Sequence, residues 1–186
     1  MQLNLKKVLL FSPHTDDIEL WCWGLISKLK KQDAEIFVCV FSDCKESVPE
    51  WFPKDALRKE FFKSMSVLWI PKENITFLDY KVRLFPQHRY EILCDIKRLW
   101  KQINPDLVLC HNTYDLHQDH QTVTNEVIRV FKKISIFWYE LPWNNIKVNN
   151  QIIVKFDKED IELKIKALNC YETQKKIRKY FKEDFI

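Results

Sequence analysis

The strongest constraint on this chain is a regular alternation of short apolar runs with longer segments of helical apolar spacing. Lys7–Ser12 reads as the first strand and Ile18–Lys31 as the first helix. Glu35–Ser42, built on I-F-V-C-V-F, is the second strand, and Asp55–Leu68 is a helix with Asp55 placed to cap it. Ile75–Leu78, Leu107–Cys110 and Ser135–Tyr139 follow as strands, with Arg89–Ile103 and a segment from Asp119 to Lys133 as the helices among them. After a loop around Pro142 and a turn at Asn149 and Asn150, Ile152–Phe156 reads as a further strand, and Asp157 caps a last helix reaching about Cys170. Strands separated by helices of this length need long crossovers, which parallel neighbours require and antiparallel ones do not. The expected fold is therefore α/β: a Rossmann-like three-layer sandwich, with a mostly parallel sheet and helices on both faces. At 186 residues, one domain spanning 1–186 accommodates all of it.

Composition narrows the function classes. The longest apolar run, Leu20–Ile26, is far short of the roughly 18 to 20 residues a bilayer span needs, so no membrane span is expected. Met1–Lys7 lacks the apolar stretch and cleavage site of a secretory leader, and a cytoplasmic location is expected. A net charge of +4, with lysines scattered among glutamates, gives no reason to expect a nucleic-acid partner. Cys22, Cys39, Cys44, Cys94, Cys110 and Cys170 form no C-x-x-C pair, which favours buried thiols over disulfides or a closed cysteine-rich metal site. Gly24 is the single glycine, so aspartate and asparagine are expected at the left-handed corners of the backbone. The sequence leaves open whether the chain forms a homo-oligomer.

In open parallel sheets, ligands gather at the carboxyl ends of the strands. Two of those places are rich in ligand chemistry. After the first strand comes P-H-T-D-D-I-E-L, with His14, Asp16, Asp17 and Glu19 in six residues. A turn there can aim an imidazole and a carboxylate at one ion, although two aspartates at a helix start also suit capping alone. After the fourth strand comes C-H-N-T-Y-D-L-H-Q-D-H, with His111, Asp115, His117, Asp119 and His120, three of the protein's five histidines. The plain alternative is a solvated charged turn. Histidines concentrated beside carboxylates at the mouth of a strand are not something a structural turn requires. Together the stretches offer three ligands, an open position and a nearby base, which is what metal-assisted hydrolysis uses.

These two motifs, H-T-D-D at 14–17 and H-Q-D-H at 117–120, resemble the paired signatures H-P-D-D and H-x-D-H of the PIG-L/LmbE-like metal-dependent de-N-acetylases. The likeness covers nearly the whole chain: Arg58 and Glu60 fit the family's helix after the second strand, N-P-D-L-V-L at 104–109 its strand before the second motif, and K-A-L-N-C-Y-E-T-Q at 166–174 its C-terminal helix. Thr15 stands in place of the signature proline, which frees a backbone dihedral, and the loop Ser42-Asp43-Cys44 lacks a glycine common in the family. The resemblance implies His14, Asp17 and His120 as ligands of one divalent metal ion, Zn2+ first and Fe2+ second. It implies Asp16 as general base, His117 as the residue facing the developing oxyanion, Asp119 as the group orienting His117, and Arg58 as a substrate-binding residue. Asp115 and His111 would support the ligands from behind. Trp21, Trp23, Trp51 and Trp143 are aromatic surfaces on which a sugar could stack, or else parts of the core and its rim.

The activity so implied is hydrolysis of the N-acetyl group of an N-acetylated amino sugar of the N-acetylglucosamine type, or of its conjugate. Two other readings share the residues: a metal-dependent hydrolase of another bond, and a carbohydrate-binding protein with a degenerate site. Release of acetate separates the first, and metal content without turnover would single out the last.

Overall fold

The computed structural model describes residues 5–147 and 151–181. Its strands β1 (Lys7–Ser12), β2 (Glu35–Val40), β3 (Ile75–Phe77), β4 (Leu107–His111) and β5 (Ser135–Tyr139) form one sheet in the order β3-β2-β1-β4-β5, every pairing parallel. The helices are α1 (Asp17–Trp21), α2 (Trp23–Lys30), α3 (Ala56–Val67), α4 (Arg89–Ile103), α5 (Gln118–Val130), α6 (Lys158–Leu168) and α7 (Glu172–Ile177). The expected α/β sandwich is the observed one.

The period of two along a strand assigns the layers. On β1, Val8 and Leu10 enter one core with Ile26 and Leu29 of α2, Phe61 and Met65 of α3 and Ala167 of α6. Leu9 and Phe11 enter the other, with Ile92 and Ile96 of α4 and Val123 and Val127 of α5. Being covered on both faces, β1 and β4 read as unbroken apolar runs rather than as alternating ones. The chain winds from β1 outward to β3 and then returns through α4 to β4 on the opposite flank of β1. The order reverses between β1 and β4, so their carboxyl ends open a crevice, and both chemistry-bearing loops leave from it.

Three expectations need correction. The helix expected over 18–31 is two helices meeting at Cys22, whose φ of −105° and ψ of −8° bend the axis. Backbone bonding continues across the bend, from Cys22 N–H to Ile18 O (2.7 Å) and from Ile26 N–H to Cys22 O (2.8 Å). Ile152–Phe156 is not a strand, because its apolar residues find no sheet partner. It runs past the β5 flank instead, with Ile153 86% exposed and Phe156 packed on Trp23. There it explains Gly24, since a Cβ at that position would lie 2.1 Å from the Phe156 ring. Finally, aspartate and asparagine supply only two of the left-handed corners, Asp33 and Asn104, while Cys44, Trp69 and Arg83 hold the others among the described residues. The expected turn at Asn149 and Asn150 lies outside the described residues.

The cysteines are free, as expected, with Cys22, Cys39, Cys44 and Cys110 buried, Cys170 half-buried and Cys94 exposed. Among the described residues no helix is long and apolar enough to cross a membrane.

Candidate metal centre

The turn between β1 and α1 is fixed by its own side chains. Asp17 folds back so that Oδ2 accepts the backbone N–H of His14 at 2.9 Å, which turns its other oxygen outward. From behind, the buried Tyr171 hydroxyl lies against the Thr15 carbonyl and, at 2.5 Å, against Glu19 Oε1. A hydroxyl has one proton to donate, so the second bond needs a proton on Glu19. Burial pushes the Glu19 carboxyl well above the usual range, against the pull of Tyr171, and supplies that proton. The dihedral freed by Thr15 is therefore held by the C-terminal segment. Glu60 on α3 anchors the same segment, accepting the Thr173 backbone N–H at 3.0 Å and the Thr173 hydroxyl at 2.5 Å.

The second loop brings its imidazoles to the same point. His120, in the first turn of α5, is 3.1 Å from His14 Nδ1 through its Nε2 and 3.6 Å from Asp17 Oδ1. His14 Nδ1 is 3.5 Å from Asp17 Oδ2. The remote nitrogen of each ring meets a buried carboxylate: His120 Nδ1 lies 2.9 Å from Asp115 Oδ2, and His14 Nε2 lies 3.0 Å from Asp119 Oδ2. A carboxylate can only accept, so each remote nitrogen carries the proton and each facing nitrogen presents a lone pair. Two lone pairs and a carboxylate facing one another at these distances repel unless positive charge lies among them. Donors bonded at about 2.0–2.1 Å in a tetrahedral array lie roughly 3.3–3.4 Å apart, so the 3.1 Å between the two imidazole nitrogens, with Asp17 beside them, is close to what one small divalent ion needs.

The electrostatics of the separate groups agree. Burial and the neighbouring His111 push His120 down to about 3, which keeps it neutral. Burial works against ionising Asp17, yet His120, His111 and His14 hold it well below the usual carboxylate range. Burial also disfavours a charged His14, but Cys44, Asp119 and Asp17 outweigh it and raise its pKa: without an ion, a proton there answers the same demand for positive charge. His111 is stacked on His120 with centroids 3.7 Å apart, and its nitrogens lie 3.3 Å from Asp17 and from Asp115. It thus lies beneath the two carboxylates, close to both, with its ring nitrogens making no hydrogen bond.

His117 stands apart from this set. It belongs to one of the two groups of residues close enough to share an ion, with His14 and His120, while Asp17, His111 and His120 make the other. Its Nδ1, however, accepts the backbone N–H of Asp119 at 3.1 Å, which places the ring proton on Nε2 and leaves no lone pair there for a metal. Burial and the nearby His14 lower its pKa, so the ring is a neutral N–H donor. The Asp119 carboxylate does not orient His117 as expected. It bonds His14 together with the backbone N–H groups of Arg83 (2.6 Å) and Phe85 (3.3 Å), and only the Asp119 backbone meets His117.

Asp16 is the carboxylate left over. At the N-cap of α1 it makes no capping bond. Burial and the adjacent Asp17 push it up to about 6, against the fields of His14 and Arg178. Asp16 lines a cavity of about 340 Å³ with His14, Asp17, His117 and His120. Arg83, Trp143 and Arg178 line it as well. Arg58 does not: it is exposed on α3 with its guanidinium 4.6 Å from the Phe77 ring centroid, which accounts for it without a substrate. Of the tryptophans, Trp143 reaches this cavity, Trp23 is core and Trp51 is exposed elsewhere. Trp21 stacks edge-on against Trp143 and lines a larger, more apolar cavity of about 530 Å³ at the β5 flank, which includes none of the ligand residues.

A sequence profile of the PIG-L family, described as GlcNAc-PI de-N-acetylase, matches residues 9–131, a stretch that contains both motifs. Among solved structures, N,N'-diacetylchitobiose deacetylase from Pyrococcus horikoshii superposes with a TM-score of 0.73 at 24% identity, covering 97% of this chain and 73% of that one. The zinc-inhibited form of teicoplanin deacetylase Orf2 gives 0.76 at 15%, covering 91% of this chain and 85% of the other. GalB, the 4-carboxy-2-hydroxymuconate hydratase from Pseudomonas putida KT2440, gives 0.71 at 16%, covering 95% and 82%. At such identities the likeness is one of fold, and the hydratase shows that this fold also serves a different reaction.

Proposed function

The chain belongs to the PIG-L family of GlcNAc-PI de-N-acetylases, and on that premise we propose that it hydrolyses the N-acetyl group of an N-acetylglucosamine-type sugar or its conjugate. The observation that carries the reading is the pair of imidazole lone pairs facing Asp17, with His14 Nδ1 and His120 Nε2 3.1 Å apart, beside the Asp16 carboxylate, which makes no capping bond. His14, Asp17 and His120 would hold one divalent metal ion, with Zn2+ the first choice for a set of two nitrogens and one oxygen. When bound, such an ion polarises an acetamide carbonyl and lowers the pKa of a nearby water toward about 7.

The remaining steps belong to the chain's own side chains. Asp16, poised at about 6, takes the proton of the attacking water near neutral pH. His117 Nε2–H donates to the oxygen on which negative charge develops, and its neutrality makes it a hydrogen-bond donor rather than an acid. The proton Asp16 has taken is then the one available to the departing nitrogen. The Tyr171 bond to the Thr15 carbonyl speaks against a degenerate binding site, because it holds in place the turn that the missing proline would otherwise stiffen.

The test is direct. Zn2+-loaded protein, incubated with methyl N-acetylglucosaminide and with phosphate- and lipid-linked N-acetylglucosamine, should release acetate and free amine in equal amounts, and chelation should abolish both. Verified metal with no acetate from any substrate would overturn the reading, and turnover of esters alone would move it to hydrolysis of another bond.

A further inference from the structure

The backbone groups of the turn that carries His14, Asp16 and Asp17 can be accounted for one by one. The Pro13 carbonyl accepts the Ser42 N–H at 3.1 Å, the His14 N–H goes to Asp17 Oδ2 at 2.9 Å, and the His14 carbonyl accepts the Ser12 hydroxyl at 2.5 Å. The Thr15 carbonyl accepts the Tyr171 hydroxyl. One group is left, the Thr15 N–H, which exists only because this position is not proline. Thr15 is 1% exposed, so its N–H is out of reach of bulk water, and the Cys44 thiol is the group that answers it.

Cys44 is placed for this by its own loop. The Phe41 N–H bonds the Ser12 carbonyl at 3.0 Å, which sets the loop after β2 beside the turn, and the Cys44 N–H donates to Ser42 Oγ at 3.1 Å. A thiol is a weak donor and a weak acceptor at once. The Cys44 proton goes to the Ser42 carbonyl at 3.8 Å, which leaves the sulfur lone pairs for Thr15. The φ of Cys44 is 55°, a left-handed corner that suits glycine and disfavours a residue with a Cβ. Glycine would relieve that corner and leave the Thr15 N–H without an acceptor.

We infer that Cys44 is a positioning residue for the Asp16 carboxylate, and that the two departures from the family signature, threonine for proline at 15 and a loop without glycine at 42–44, compensate one another. Proline fixes its own φ and brings no N–H, whereas threonine frees the dihedral and brings a donor. With Cys44 on the N–H and Tyr171 on the carbonyl, the peptide planes on both sides of the Thr15 Cα are pinned. Asp16 follows directly on the second of them. The effect on rate rests on the deacetylase reading; the contact itself does not.

The test places Cys44→Ala in two backgrounds, Thr15 and Thr15→Pro, and compares each Zn2+-loaded protein with its own Cys44 parent. With Thr15, the change should lower kcat of acetate release about 10–100-fold at nearly constant KM, the scale of a misplaced catalytic group. With proline the loss should shrink to less than about twofold, because no N–H is left to satisfy. Cys44→Ser keeps an acceptor and should retain most of the activity. Amide hydrogen exchange at Thr15 should speed up in Cys44→Ala, a readout that needs no substrate. An equal loss in both backgrounds, failure of both to fold included, would overturn the inference by making the cysteine a packing residue. Unchanged exchange at Thr15 would do the same, as would Zn2+ affinity lost with the thiol, which would make Cys44 a ligand. Absence of acetate release from the parent proteins would sink the deacetylase reading, and the exchange measurement would still decide this one.

Discussion

Replacing Asp115 by asparagine tests the lone-pair argument at its root. The Asp115 side chain is fully buried and does two things at once: Oδ1 accepts the His117 backbone N–H at 2.8 Å, and Oδ2 receives the His120 Nδ1 proton at 2.9 Å. An amide has only one acceptor oxygen. The His117 N–H needs it, so the amide nitrogen takes the other place and donates to His120 Nδ1. His120 must then carry its proton on Nε2, aimed at His14 and Asp17, where the lone pair was. Metal binding requires that bond to be given up, and a bond involving a charged group contributes about 1.5–3 kcal/mol, or roughly 10–150-fold in Kd. A loss of about 10–100-fold is what changes behind a metal ligand commonly produce. At a Zn2+ concentration of about 100 times the wild-type Kd, binding stabilises the native protein by roughly 2.7 kcal/mol, and a 30-fold weaker site by about 0.9. In a chain of this size that is a Tm rise of about 5–11 °C for the wild type against about 2–4 °C for Asp115→Asn. Competition against a chelator gives Kd directly, and a thermal melt with and without metal gives the shift. A folded Asp115→Asn protein with wild-type Kd and wild-type shift would refute the tautomer argument and the ligand set drawn from it.

Other outcomes follow from the same geometry. Asp16→Asn should lower kcat by about 10²–10⁴ with its Zn2+ affinity intact; because a base must be unprotonated to act, the wild-type rate should fall as pH drops through about 6, and that limb should be missing from any residual activity of the variant. His117→Ala should lower kcat by roughly 10²–10³ while keeping the metal-induced Tm shift, and loss of that shift would instead make His117 a ligand. Glu19→Gln should stabilise the fold at pH 7.5 and do little near pH 4: a carboxyl whose pKa is raised by folding contributes most below its unfolded value of 4.5 and loses that contribution as pH rises toward the folded one. Urea melts at the two pH values check the sign. Gly24→Ala should destabilise by about 0.5–2 kcal/mol, because overpacking against Phe156 exceeds the helix-propensity gain of about 1 kcal/mol; in a Phe156→Ala background the same change should turn stabilising.

How legible each part was depends on how locally its cause is written. The strands were readable because a parallel sheet covered on both faces demands continuous apolar runs, and L-V-L-C at 107–110 has no other use. The segment 152–156 misled for a related reason: its apolar residues look like a strand, but a strand also needs a neighbour, and the neighbour is not encoded nearby. The histidines and aspartates were readable because they follow β1 and β4, the two strands that flank the reversal of strand order. The partner of Asp119 was not, since it depends on His14 arriving from 105 positions away. Arg83 had an available signal, lying just beyond β3 at the same carboxyl edge of the sheet. Arg178 had none, because α7 is brought to the site by bonds between residues far apart in sequence, among them Glu60–Thr173 and Tyr171–Thr15. Arg58 fits the family's helix after β2, which implies a substrate contact, whereas its side chain has a nearer partner in Phe77.

The near absence of glycine turns these observations into an argument about where strain sits. A left-handed residue with a Cβ costs about 1–2 kcal/mol relative to the right-handed form, and aspartate and asparagine bear it most easily. Asp33, three residues past the end of α2, and Asn104, capping α4, hold ordinary connecting corners. Of the three remaining corners, Trp69 is half-exposed in the turn after α3, and nothing in the structure accounts for its side chain there. Cys44 and Arg83 both line the cavity that holds the metal centre. Two of the three least suitable residues for such corners therefore border one opening, in loops that leave β2 and β3. Strain placed in this way is expected where the side chain serves the site and the backbone alone does not. It follows that Arg83→Gly should relieve strain and still impair ligand binding, a combination that a purely structural role for that residue would not produce.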